Sequence, residues 1–194
     1  MIVCDELLKP SHLWTRGEVL SLPSPVPKQP GVYAWYFRNI DCVPALACHA
    51  QSDFRLLYVG ISPSPPPTNG KSASRETLYS RIRYHMQGNA EGSTLRLSLG
   101  CILAEQLGIE LRRVGSGRRM TFASGEKRLS EWMDENARVV WRVSPEPWLL
   151  ERELIGCLDL PLNLDQNKMH AFHSVLSGLR RTAKARAREL PIAS

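Results

Sequence analysis

LLYVGIS, residues 56–62, is the stretch on which the fold turns. Its aliphatic and aromatic residues read as a strand, yet it carries Gly60 and runs directly into PSPPPTNGKSASRE (63–76) before TLYSRIRYHM (77–86). Four prolines and one glycine between Ser62 and Ser74 rule out regular structure there, so an exposed loop joins the strand to a helix that resumes around Arg75. Leu78, Ile82 and Met86 recur every fourth position and form one apolar stripe. At about 100° per residue, Arg81 and His85 stack on one face along the edge of that stripe, bordering the core without lying in it. Side chains at such an edge are held by packing and still reach a ligand; a solvated helix margin is the plainer reading of the same pair.

Working upstream, GVYAWYF (31–37) follows Pro30 with β-branched and aromatic residues, and it is expected to pair with RLLYVG (55–60) as a long-looped hairpin. The intervening loop holds Pro44 and two cysteines. The Pro/Ser-rich opening to Gln29 reads as a lead-in with one short helix near Asp5 to Lys9. Downstream, helices are expected over Ser93–Leu107 and Gly125–Glu135, while IELRRVGSGRRMTFAS (109–124) is open between a short strand pair and a basic loop. ARVVWRV (137–143) is a third strand. Pro145 and Pro147 then start a helix whose buried face is Leu150, Leu154, Cys157 and Leu158 and which Pro161 stops; a basic amphipathic helix follows over Ser174–Glu189.

These elements predict an α/β (α+β) protein with a small central antiparallel or mixed three-stranded sheet flanked by helices. Three segments are expected: a lead-in (1–29), a main domain (30–165) with the proline-rich loop 62–74, and a basic C-terminal helix (166–194). A chain of 194 residues suits one domain with a proper core. No apolar run approaches a membrane span and the start MIVCDELLKP lacks a secretory signal, so a cytoplasmic protein is expected, as a monomer or homodimer. The five cysteines are scattered without a CxxC pair, which disfavours a disulfide framework or zinc knuckle and leaves Cys42, Cys48 and His49 as a weak metal candidate. The formal charge is +6, and residues 168–194 hold six basic side chains against Glu189 alone. A basic terminal segment on a nearly neutral body suits a polyanionic partner, since each cation set on a phosphate releases a counterion.

Glu151 sits between apolar Leu150 and Leu154 at another helix boundary, where a carboxylate needs a partner. An arginine is the ordinary one and a divalent cation the functional one; Glu153 competes for the role. Taken in order, Gly31-Val32-Tyr33, Tyr58-Val59-Gly60, Leu78 with Arg81, His85, LERELI (150–155) and Asn163 resemble the GIY-YIG nuclease family over roughly residues 30–165. The spacing of Arg81 and His85 matches its restriction and homing branches, and LERELI matches the glutamate helix of its excision-repair branch. The chain departs from the pattern after Gly60: Ile61 occupies the place of a lysine and the proline-rich insertion intervenes, with Lys71 as the candidate replacement.

The resemblance implies a metal-dependent endonuclease that hydrolyses DNA phosphodiester bonds with Mg²⁺ or Mn²⁺ held by Glu151; a non-cleaving nucleic-acid-binding module is the alternative. Arg81 supplies fixed donors where charge accumulates in the transition state. Tyr33 or Tyr58 is the base, a role that an ordinary phenol with a pKa of about 10 fills only if cations favour the phenolate. His85 positions a tyrosine or relays its proton, and Asn163 orients a carboxylate or closes the site. DNA is expected along Lys71, Arg83, Arg180, Arg181, Lys184 and Arg188. His170 and His173 are read as capping or surface residues in preference to a second metal site.

Overall fold

The computed structural model describes residues 5–69 and 72–193. In chain order the elements are α1 (Asp5–Leu8), α2 (Arg16–Leu20), β1 (Gly31–Phe37), β2 (Ala50–Gln51), β3 (Phe54–Ser62), α3 (Leu78–Gln87), α4 (Thr94–Ile102), α5 (Ala104–Leu107), β4 (Arg112–Val114), β5 (Arg119–Thr121), α6 (Gly125–Asn136), β6 (Ala137–Val143), α7 (Pro147–Cys157) and α8 (His173–Glu189). The main sheet is antiparallel in the order β2-β3-β1-β6, three full strands plus the two-residue β2, and β4 and β5 form a separate ribbon. Among the described residues no helix is long and apolar enough to cross a membrane.

Every residue of β1 is buried, because both faces of this central strand are covered. Tyr33, Trp35 and Phe37 join the larger core, built with α3, α4, α6 and α8; Val32, Ala34 and Tyr36 alternate onto the opposite face, in the smaller core with α1 and α7. Strand β3 breaks the alternation. A bulge opposite Trp35/Tyr36 leaves Leu57 as an extra residue, so Leu57 and its neighbour Tyr58 both pack toward the larger core. That one-residue slip puts Tyr58 on the same side as Tyr33.

Two glycines are required by close approach. A side chain at Gly31 would run into the Arg142 carbonyl and Leu78, and a Cβ at Gly60 would lie 2.6 Å from the Tyr33 hydroxyl, whose ring crosses the neighbouring strand there.

Helix α3 begins at Leu78, later than expected, because Thr77 and Ser80 form a capping box. Its first free amides, on Leu78 and Tyr79, donate to the carbonyls of Gln29 and Pro27. The lead-in is thereby fastened to the domain, with Leu7, Val19 and Val26 in the two cores. Helix α2 and the two-residue β2 were not anticipated. The expected helix over 93–107 divides at Leu103 into α4 and α5, and the ambiguous 109–124 stretch is a strand pair. Cys157 is exposed rather than part of the α7 face, which is Pro147, Leu150, Leu154 and Ile155. Helix α8 packs on α4 and β4 and buries Leu176 and Ala187 in the larger core, so it is a structural element as well as a charged one.

Candidate active site

A cleft of about 750 Å³ opens at the outer edge of β3, where the two layers meet. Tyr33 reaches it from β1, Tyr58 and Gly60 from β3, Arg81 from α3 and Glu151 from α7. Residues far apart in the chain thus converge on one open space. Glu153, the competing carboxylate, does not line it. No ion pair joins Arg81 to Glu151 among the described residues, so neither side chain is consumed by the other. The Arg81 Nη1 donates to the Gly92 carbonyl at 3.0 Å, which fixes the guanidinium against the loop before α4.

His85 lies elsewhere than expected. It is fully buried behind Tyr33 instead of bordering the core, with its ring edge-on to Trp35. Its Nε2 is 2.9 Å from the Tyr33 hydroxyl and its Nδ1 is 2.7 Å from the Ser93 hydroxyl. Ser93 also caps α4 by accepting the Arg96 amide. The result is a dry chain, Tyr33–His85–Ser93, whose Tyr33 end touches the cleft. Burial, reinforced by Arg81 and Arg96, holds the imidazole well below its ordinary pKa and therefore neutral.

Burial also raises both phenols. For Tyr33 the desolvation is aided by Tyr58 and opposed by Arg81, which interacts with the same hydroxyl. For Tyr58 the opposing influences are a hydrogen bond with Thr94 and the Arg81 charge. Glu151 is pushed up to about 7, chiefly by burial; the Gln166 amide, 3.4 Å away, counteracts this and Asp165 adds to it. No basic side chain offsets this burial, and the Asp165 carboxylate shares the cleft. The described residues contain no group of three His, Cys, Asp or Glu able to cage an ion. This donor set fits Mg²⁺ or Mn²⁺, which take one or two carboxylates and keep water and substrate oxygens for the rest, and does not fit a structural zinc site.

Asn163 is placed by the backbone. Its Oδ1 accepts from the Val59 amide at 2.9 Å and its Nδ2 donates to the Val59 carbonyl at 2.8 Å, so the side chain acts as a short extra strand on the free edge of β3. Both halves of its amide bond the backbone of β3, and Asn163 also lines the cleft. It clamps the turn after α7 to the strand bearing Tyr58.

Of the expected nucleic-acid contacts, Arg180, Arg181, Lys184 and Arg188 all line the cleft along one face of α8. Arg186, on another face, pairs with Glu110. Arg83 turns away: its guanidinium donates to the Val19 carbonyl and stacks on Tyr79, so it leaves the proposed surface. Lys71 lies outside the described residues, although Ser64 and Pro65 of the same loop line the cleft. The two weak metal candidates dissolve into ordinary bonding. Cys48 and His170 both bond Asp159, and burial with the nearby Asp159 pushes the Cys48 thiol up to about 12; His49 bonds the Leu8 carbonyl.

Several residues were missed. Ser93 stands before the apolar run TLRLSLGC, where a serine signals a helix cap. Arg96, inside that run, is fully buried and paired with Glu126 at 2.7 Å, and it also donates to the His85 carbonyl. A charge within an apolar helix has to find such a partner.

In comparison with known proteins, the family model described as the GIY-YIG catalytic domain matches residues 31–184. No curated protein matches the chain, and no solved structure does.

Proposed function

Since the chain belongs to the GIY-YIG nuclease family, we propose that its cleft hydrolyses DNA phosphodiester bonds with the help of one divalent cation. The observation that carries this reading is the convergence of Tyr33, Tyr58, Arg81 and Glu151 on one open cleft walled by the cationic face of α8. Glu151, with Asp165 beside it, would hold the Mg²⁺ or Mn²⁺, which would supply positive charge against that developing on the phosphate and the leaving oxygen.

The chain's own residues divide the remaining work. Arg81, anchored on the Gly92 carbonyl, directs its remaining donors at the non-bridging oxygens where charge grows. Arg180, Arg181, Lys184 and Arg188 hold the flanking backbone. Tyr33 takes the proton of the attacking water and passes its own to His85 Nε2, while His85 Nδ1–H donates to Ser93 Oγ. This relay avoids a free phenolate, which burial opposes. It also makes the base responsive to substrate. Burial is the main influence that keeps His85 neutral, with Arg81 and Arg96 adding to it, and an anionic phosphate on Arg81 relieves the Arg81 share when the proton has to be accepted. Tyr58, which also lines the cleft, orients the water.

The test is incubation of the purified protein with supercoiled plasmid. Nicking that needs Mg²⁺ or Mn²⁺ and disappears in Glu151→Ala supports the proposal; no nicking at any salt concentration rejects it. Ile61 at the place of the family's lysine favours a second reading, a binding module without turnover. Salt-dependent DNA binding that persists in Arg81→Ala, without cleavage by the unaltered protein, is its signature.

A further inference from the structure

The β4–β5 ribbon carries four arginines, and they divide into two pairs with different fates. The β4 pair is spent on the end of α8. Arg113 donates to the carbonyls of Ala187 and Leu190, and Arg112 to that of Pro191, where the helix leaves its last acceptors unpaired. The second pair, Arg118 and Arg119, sits at the tip and the start of β5. Both are exposed, and among the described residues neither makes a side-chain hydrogen bond or an ion pair. Two carboxylates close to the ribbon have other partners: Glu91 accepts the Met120 amide at 2.8 Å and Glu110 pairs with Arg186. Two exposed arginines without an ion pair among the described residues therefore follow each other at a turn shaped by left-handed Gly115 and Gly117.

The ribbon is attached to the cleft along both of its edges. On the β5 side, Glu91 holds Met120 while the next residue, Gly92, holds Arg81. On the β4 side, Arg113 grips the end of α8, one residue from Arg188 in the cleft wall. A three-residue strand spans about 10 Å, so the tip lies about that far along the ribbon from its contact with the end of α8.

We propose that Arg118 and Arg119 form a second contact for duplex DNA, gripping the phosphate backbone of the segment that leaves the cleft. This rests on the cleft being a DNA site. A phosphate backbone is the ligand that the chemistry selects. The tip, Gly115-Ser116-Gly117-Arg118-Arg119, offers cations and small residues and no aromatic ring on which an unpaired base stacks. The contact is blind to sequence; it fixes where the duplex lies and in which direction it runs.

The experiment measures binding of a duplex of about 30 base pairs in EDTA, by fluorescence anisotropy over a salt series. Each phosphate contact contributes about 0.9 to the slope of log affinity against log salt, so Arg118→Ala/Arg119→Ala is expected to flatten the slope by about 2. Lys9→Ala/Lys127→Ala removes the same charge from elsewhere and should leave the slope intact, while Arg118→Lys/Arg119→Lys retains it. Neither tip arginine has a hydrogen-bond or ion-pair partner among the described residues, so the variant should melt with the unaltered protein. A slope unchanged in the alanine variant, or lowered equally in the lysine control, overturns the proposal. No salt-dependent binding by the unaltered protein overturns the cleft reading with it; normal binding with a normal slope in the variant overturns the tip contact alone.

Discussion

Replacing Glu151 with glutamine should stabilise the protein at pH 8 and at the same time remove its response to metal. Burial raises the carboxyl from an ordinary 4.5 to about 7, so between those values the folded chain holds a proton that the unfolded chain releases. Stability accordingly falls as pH rises from about 4.5 to about 7 and stays low above that, the reverse of a salt-bridged carboxylate. The full gap corresponds to about 3 kcal/mol at about 1.36 kcal/mol per unit, and water at the cleft mouth reduces it to about 1–2 kcal/mol. Glutamine keeps the shape and still accepts the Gln166 amide, without the charge. Glu151→Gln should then melt about 2–8 °C above the unaltered protein at pH 8 in EDTA, and level with it near pH 4.5. Saturating Mg²⁺ reverses the order, because an ion that binds only the folded state adds about 2.7 kcal/mol at a hundredfold excess over Kd, and the variant gains nothing. Scanning calorimetry at both pH values, with EDTA or Mg²⁺, reads all four conditions. A variant no more stable at pH 8, or one that gains as much from Mg²⁺, refutes the placement of an isolated, desolvated carboxylate in the cleft.

Other perturbations separate packing from chemistry. Gly60→Ala sets a methyl against the Tyr33 hydroxyl; a loss of about 1–3 kcal/mol in urea unfolding is expected, together with loss of cleavage. Ser93→Ala removes a helix cap, for about 1 kcal/mol, and also the acceptor on His85; the pH profile of kcat should move, and Ser93→Thr should restore it. A profile unmoved by Ser93→Ala would reduce Ser93 to a cap. Deleting residues 174–194 should lower the melting temperature sharply, because Leu176 and Ala187 leave the core, whereas Arg180→Ala/Lys184→Ala should flatten the salt dependence of DNA binding at an unchanged melting temperature.

Much of this arrangement is readable from residue order. β1, β3 and β6 announce themselves by aromatic and β-branched runs, and α3 by Leu78, Ile82 and Met86, all of which are fully buried. The identities of Tyr33, Tyr58, Arg81 and Glu151 as cleft residues follow from motif order, and the α8 cations from charge. The remainder depends on tertiary placement. His85 looks like an edge residue from its helix angle, yet the crossing of β1 beneath α3 puts Trp35 and Tyr33 over it and buries it. The bulge at Leu57 has no signature in a run of aliphatic residues. Asn163 was expected to orient a carboxylate or close the site; that its amide pairs with a strand edge is set by where the chain turns after α7. α2 did carry a signal, Thr15 and Glu18 at capping-box spacing, in a segment whose prolines suggested only a lead-in.

The central claim is that Arg81 and Glu151 act on the same phosphate. Single-turnover cleavage of one duplex in Mg²⁺ by the unaltered protein, Arg81→Ala, Glu151→Ala and the double variant tests it most directly. Each single replacement should slow cleavage by about 10²–10³, and the double variant should be little slower than the worse single one, since either loss already disables the shared site. Losses that multiply in the double variant, or a Glu151→Ala rate equal to that of the unaltered protein, would contradict it.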